Sequence, residues 1–244
     1  MDRNMTAGEG RNMTAAGEGP MSAASTHAVG AWTVRPLDGD TWDAFAELVE
    51  RNGGVFGGCW CMGHHRTPDG ISFHAVPGID KRAAKEELVR QGKAHAAVVF
   101  DEHGLAQGWA KFGRLDELPL LAQHRRAYEK DDPVLPDWRI PCFYTDTRHR
   151  RDGIARAALG GALDMIAQSG GGTVESIPEL VSGRTAHGRF LFSASVELFE
   201  DHGFTKVRRL GKWAWLVRRV VEPGATAGRA ASAGSGADSQ EGRR

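Results

Sequence analysis

Cysteine is scarce in this chain: three in 244 residues. Three are too few, and too oddly numbered, for a disulfide framework, so a reducing cytosol is the expected setting. Net charge is absent as well. Lys plus Arg and Asp plus Glu both number 31, which gives no reason to expect nucleic acid or an anionic membrane as a general partner. No apolar run approaches the roughly 18 residues that suggest a membrane span, and the N-terminus lacks the apolar core of a secretory signal. There is no GxxxxGK[ST], which argues against a P-loop. There is no GxGxxG after an early strand, so a Rossmann reading lacks its fingerprint. What remains is a soluble cytoplasmic protein with enough chain for one well-filled domain.

Both ends read as disordered. Residues 3–10, RNMTAGEG, are nearly repeated by residues 11–19, RNMTAAGEG. Such short, polar, glycine-rich sequence cannot bury enough apolar surface to offset chain entropy. Residues 222–244 are mostly Gly, Ala and Ser with scattered charges, the composition of a flexible tail. The expected divisions are a disordered segment over 1–30, a folded domain over 31–221 and a disordered tail over 222–244.

Within the domain, Ala31–Leu37 reads as a strand and Thr41–Arg51 as a helix capped by Asp40. A second helix is expected over Lys81–Gln91, capped by Asp80. Strands follow at Ala94–Phe100, Leu105–Phe112 and Arg139–Asp146. Gly153–Gln168 carries one apolar stripe at helical spacing. Then come a strand at Thr173–Ile177, a short helix at Ser195–His202, and strands at Thr205–Arg209 and Lys212–Val220. The order specifies an α/β chain with a mixed central sheet.

The stretch from Cys142 to Ala155 carries the chemistry. A strand runs into a basic, Gly-containing turn, and the turn opens a long helix. The first N–H groups of that helix lack internal partners and carry partial positive charge, so the terminus is a ready anion site. Gly153 lets a phosphate approach the backbone, Ala155 keeps the next approach clear, and Arg150 and Arg151 add charge. The competing reading is an ordinary arginine-rich helix start.

The run Arg150-Arg-Asp-Gly153-Ile-Ala155 resembles the [QR]xxGx[GA] pyrophosphate motif of the GNAT (GCN5-related N-acetyltransferase) superfamily. Leu198-Phe-Glu-Asp-His-Gly-Phe204 resembles the LYExxGF segment of the same superfamily, at the right separation and in the right order. Together they extend the resemblance over roughly residues 31–220. More loosely, Gly58-Cys-Trp-Cys-Met62 with Thr173-Val-Glu175 looks like a bacterial subgroup of it. The resemblance implies a GNAT fold whose fourth and fifth strands splay apart. It implies acetyl-CoA as co-substrate, with the thioester in the gap, attacked directly by the amine of a small molecule or peptide. The backbone of Phe143, Tyr144 and Thr145 would pair with the pantetheine arm. The segment Arg150, Arg151, Asp152, Gly153, Ile154 and Ala155 would hold the pyrophosphate, and Ser195 and Phe199 would lie beside the cofactor. The alternative is a non-catalytic acyl-CoA-binding or regulatory module. Homodimerisation is left open.

Glu175 lies on the strand expected to face the thioester. In an apolar pocket its carboxylate could accept a proton from the acceptor ammonium; the plainer reading is an outward-facing strand glutamate. Phe199 stands where many family members have a tyrosine able to protonate the leaving thiolate, so Tyr144 or Ser195 becomes the expected donor, or the thiolate leaves unaided. Cys59, Cys61, His64 and His65 suggest zinc, but CxC spacing without a second cysteine pair leaves a four-ligand site incomplete, so no metal is expected. The long connections Asp116–Trp138 and Glu179–Phe192 are the expected walls of the acceptor site.

Overall fold

The computed structural model describes residues 27–29, 31–119, 124–130, 134–183 and 191–224. Among them the chain forms a single eight-stranded sheet in the order β1-β2-β3-β4-β5-β6-β8-β7. The strands are β1 (His27–Val29), β2 (Trp32–Pro36), β3 (His95–Phe100), β4 (Ala106–Arg114), β5 (Trp138–Thr145), β6 (Gly172–Ser176), β7 (Thr205–Arg209) and β8 (Trp215–Val221). The helices are α1 (Trp42–Arg51), α2 (Lys81–Arg90), α3 (Arg125–Glu129), α4 (Ile154–Gln168) and α5 (Val196–Glu200). Every pairing is antiparallel except that of β5 with β6. This is the mixed α/β sheet with flanking helices that the sequence predicts.

Two layers cover the sheet. On one face Phe45, Leu48 and Val49 of α1 and Val89 of α2 pack against Ala96, Val98, Trp109 and Cys142. On the other, α4 packs against Val34, Ala97, Val99, Ala110 and Ile140. Strand β3 is apolar on both faces because both are covered. Small residues bring α4 close. A Cβ at Gly161 would sit 2.4 Å from Val34 Cγ1, and one at Gly108 on β4 would sit 2.5 Å from both Ile154 Cγ2 and Tyr144 O. Gly108 thus lets the first turn of α4 press onto β4 and fixes the height of the loop that precedes the helix.

A bulge shapes the centre of the sheet. Between Lys111↔Cys142 and Gly113↔Arg139, β4 advances by one residue fewer than β5. The extra residue falls at Ile140-Pro141, and Pro141 has no N–H for the ladder. The bulge shifts the alternation: Trp138, Ile140 and Phe143 join the α4 core, while Cys142 and Tyr144 join the opposite one. Strand β5 pairs with β6 only at Trp138↔Val174 and Arg139↔Glu175. Beyond that point Ser176 Oγ donates to Ile140 O at 2.7 Å, and the Phe143 N–H donates to Phe192 O at 2.6 Å. The two strands part as expected of the fourth and fifth strands, here β5 and β6, because β1 adds one strand in front.

That first strand is a correction. His27–Val29 pairs with β2, although it lies inside the segment expected to be disordered; the rest of that segment, and residues 225–244, lie outside the described residues. Helix α1 also starts differently. Asp40 caps nothing. Asp38 Oδ1 accepts from the N–H groups of Asp40 and Thr41 at 3.0 and 3.1 Å, and Thr41 is the N-cap residue. Asp80 caps α2 as expected, accepting from the Ala83 N–H at 3.0 Å. Helix α3 falls inside a stretch that reads as a plain connection, because five residues leave too short a window for periodicity to register.

Candidate active site

Strand β5 ends at Thr145, and Asp146 turns the chain. Its Oδ1 accepts from the Arg148 N–H at 3.0 Å, capping a 3-10 turn over Thr147–His149. The carboxylate is buried. It also accepts from Arg51 Nε at 3.1 Å, Arg148 Nη2 at 3.0 Å and Asn52 Nδ2 at 3.3 Å. The hydrogen bonds from Arg148, with those from Asn52 and Arg51, hold its carboxyl well below the usual range despite burial. Asp146 thereby ties the end of β5 to the end of α1.

The chain then passes twice through the left-handed region, at Arg151 (φ 73) and Gly153 (φ 85), and α4 begins at Ile154 with no side-chain cap. Arg150, Arg151, Asp152 and Gly153 are exposed, Ala155 is half-buried, and Ile154 anchors the turn in the core. Trp32 braces it from β2, donating from Nε1 to Asp152 O at 2.8 Å. Around Gly153 the space is open: an added Cβ would meet only Trp32 Nε1, at 3.9 Å. The helix start therefore presents uncapped N–H groups on an open surface beside two arginines, which fits a phosphate. Asp152 is the one anion in the turn, and its carboxylate lies 3.4 Å from His149 Nδ1.

The other expected cofactor residues are arranged around the same strand. Phe143 is buried against Phe199 of α5 at 5.8 Å, and Phe199 packs edge-on to Phe204 at 4.9 Å. Phe199 is wholly a core residue. Ser195 caps α5, accepting from the Leu198 N–H at 3.3 Å. Tyr144 is half-buried, stacked on Trp109 at 4.9 Å and edge-on to Phe56 at 5.9 Å. Burial, and then Asp146, pushes its hydroxyl pKa up.

Glu175 has neither of its expected surroundings. It is fully buried, so it does not face outward, and its pocket is not apolar. Arg218 donates to Oε2 from Nε at 3.0 Å and Nη2 at 2.8 Å, and the Tyr128 hydroxyl donates to the same oxygen at 3.1 Å. Arg139 Nε stands 3.8 Å from Oε1. The two arginines are its cross-strand partners, Arg139 on β5 and Arg218 on β8. Only register reveals such a row, so residue type alone could not find it. Tyr128 comes from α3, which places the described part of the Asp116–Trp138 connection against this ion pair. Residues 120–123, 131–133 and 184–190 of the two expected acceptor walls lie outside the described residues.

The cysteines and histidines of the zinc reading do not converge. Among the described residues no group of three or more His, Cys, Asp or Glu side chains is arranged to hold a metal. Cys59 Sγ lies 3.5 Å from His74 Nε2. His65 Nδ1 lies 3.2 Å from Glu117 O. Burial, then the charge of Lys111, pushes His64 down to about 3. Two lysines that the sequence does not single out complete this face. Lys111 Nζ donates to Cys61 O at 2.6 Å. Lys85, also fully buried, is pushed down to about 8 by burial and by Lys111.

No protein-family model matches the chain, and no curated protein matches it. Solved structures do. One is a histone acetyltransferase HPA2 and related acetyltransferase from Corynebacterium glutamicum, at 15% identity and TM-score 0.43, covering 80% of this chain and 97% of that one. Another is a GCN5-related N-acetyltransferase from Kribbella flavida, at 14% identity and TM-score 0.44, covering 78% and 98%. A third is a GNAT superfamily phosphinothricin acetyltransferase from Sinorhizobium meliloti in complex with AcCoA, at 14% identity and TM-score 0.44, covering 80% and 91%. The solved structures that this chain is similar to are thus acetyltransferases of the GNAT type.

Proposed function

We propose that this chain is an acyl-CoA-dependent N-acyltransferase of the GNAT type, moving acetyl from acetyl-CoA to a primary amine of a small molecule or peptide. The observation that carries the reading is the uncapped start of α4. It directly follows a strand that a bulge has turned away from its parallel neighbour, and Gly153 stands open beside Arg150 and Arg151. The pyrophosphate would rest on the N–H groups from Arg151 to Ala155, and the pantetheine arm would run along Phe143–Thr145. The Phe143 N–H is held by Phe192 O, so the segment around Phe192 would yield that donor to the arm.

The amine nitrogen attacks the thioester carbonyl, the C–S bond breaks, and the thiolate leaves with a proton, giving an amide and free coenzyme A. Tyr144 is the proton donor in this reading: its raised pKa keeps the phenol protonated at neutral pH. Phe199 has no hydroxyl to give. Glu175, held by Arg218 and Tyr128, orients the floor of the gap between β5 and β6 rather than serving as the base. Among the described residues no helix is long and apolar enough to cross a membrane.

Thiol release from acetyl-CoA, measured with a panel of primary amines, tests the reading. Acetylated amine and free coenzyme A in equal amounts are expected. Tight calorimetric binding of acetyl-CoA with no turnover on any amine would favour a non-catalytic acyl-CoA-binding module, which the Phe143–Phe192 bond and the buried Phe199 also suit. Absence of binding would remove both.

A further inference from the structure

Where β5 and β6 part, the chain's own backbone spans the gap between them. Glu179, three residues past the end of β6, bridges Ala214 on one side and Ser195 on the other. Its N–H donates to Ala194 O at 3.2 Å, and its carbonyl accepts from the Val196 N–H at 3.0 Å. Ser195 in turn caps α5. Just before this anchor the chain makes a tight turn, closed by the Ala194 N–H donating to Leu191 O at 2.9 Å. The tip of the turn lies against β5, where Phe192 O takes the Phe143 N–H at 2.6 Å. A backbone bond therefore joins the turn to the strand edge that β6 has left.

Side chains reinforce that bond. Phe192 is half-buried and packs on the core cluster under α1. Its ring stands edge-on to Phe56 at 6.3 Å, and Phe56 stands edge-on to Tyr144 at 5.9 Å. Phe56 belongs to the loop after α1 and is 42% exposed. The three rings join the turn, that loop and the end of β5. The backbone on both sides of the contact is unfavourable. Phe56 (φ 48) and Ala194 (φ 60) lie in the left-handed region, which a residue with a Cβ rarely adopts. Strain of this kind persists only where the surroundings over-determine it, and it collects in ligand clamps and switch regions. Ala194 is also the last residue before the anchor. A change in its φ swings the turn away while its carbonyl stays on Glu179.

We propose that the turn Leu191–Ala194 is an autoinhibitory latch on β5: in the free chain it holds the Phe143 N–H and, through Phe192, keeps Phe56 against Tyr144, and acetyl-CoA must displace it. The inference rests on the acyltransferase reading and adds a gate to it. The pantetheine arm and Phe192 O compete for the same donor, so both cannot be seated at once. Only molecules with the latch open bind, and the measured affinity falls below the intrinsic one by the open fraction. A side chain that merely contacts the cofactor weakens binding when it is cut back. A side chain that holds the latch strengthens binding when it is cut back. The sign of the change separates the two roles.

The test uses the full chain with acetyl-CoA as the probe, in calorimetry and in stopped-flow mixing followed by tryptophan fluorescence. Phe192→Ala keeps the backbone carbonyl and removes the ring. Phe56→Ala removes the partner ring from an exposed position, so the test survives a Phe192 variant that fails to fold. Each should bind acetyl-CoA roughly three- to tenfold more tightly than the wild type, the worth of an aromatic pair. The double variant should gain little over either single one, since both remove the same contact. The wild-type binding rate should level off with rising acetyl-CoA at the rate of latch opening, and that plateau should rise in both variants. Variants that bind no more tightly than a wild type that does bind overturn the latch and leave the acyltransferase reading standing. If neither the wild type nor the variants bind acetyl-CoA, that reading fails and the latch with it.

Discussion

The two faces of strand β5 differ sharply. Toward α4 it sends Ile140 and Phe143, which meet Phe199 and the apolar stripe of the helix. Toward α1, α2 and α3 it sends Arg139, Cys142 and Tyr144, among buried Lys85, Lys111, His65 and Glu175. The first face is explained by folding alone, since each large apolar side chain buried there contributes about 1.5–3 kcal/mol. The second is not. Desolvating a charge costs several kcal/mol, and a well-packed apolar core of the same shape would usually be as stable. Buried charge kept on one face of a sheet makes that face a candidate for function, although structural ion-pair networks bury charge too.

The strongest test of that contrast is Glu175→Ala. It strips Arg218 and the buried Arg139 of their anion and should cost about 3–5 kcal/mol of stability by denaturant unfolding. A loss below about 1 kcal/mol would mean the row Arg139–Glu175–Arg218 holds little. Next is Gly153→Glu, on the cofactor side. It puts an anion where a phosphate should rest, in a left-handed backbone that suits glycine. Coenzyme A affinity should fall by at least ~3 kcal/mol in calorimetry, with the fold retained. Unchanged affinity would move the cofactor away from this turn.

Asp146→Asn probes the joint between the two regions and should cost about 1.5–3 kcal/mol, the worth of its charge-assisted hydrogen bonds. The folded carboxyl is held below its unfolded value. Its contribution is therefore present in full above the ordinary carboxylate range and is lost progressively as pH falls from that range down through the lower folded value. Acid titration of melting temperature should show wild type and mutant converging at low pH. The smallest effect is expected from Lys85→Met. Its ammonium is buried beside Lys111, so the mutant should gain about 1 kcal/mol at neutral pH. Because the folded amine titrates near about 8, below its unfolded value, the unfolded chain binds more protons between that pH and the ordinary lysine range. Wild-type stability rises there, and the mutant's advantage should shrink. A gain independent of pH would mean that packing, not charge, sets the difference.

What the sequence determined by itself is local. Strands and helices with a clear period stand where the pattern places them, and Asp80 caps its helix, because capping and amphipathic spacing act within one or two turns. The turn Arg150–Ala155 was legible for the same reason: a glycine and two arginines at a strand-to-helix junction are a contiguous signal. Asp38 instead of Asp40 at the start of α1 shows the limit of that legibility, since both acids precede the helix and only the path of the chain selects one.

Tertiary structure decided what depends on register and on contact between distant segments. Glu175 reads as a lone strand carboxylate until β5 and β8 set Arg139 and Arg218 on either side of it and α3 delivers Tyr128. Cys61 and Cys142 are unrelated in sequence until the bulge at Ile140-Pro141 turns Cys142 toward the loop after α1. A strand's alternation tells which residues share a face, but one extra residue reverses it. The sequence carries the side chains, and the pairing of strands decides which of them meet.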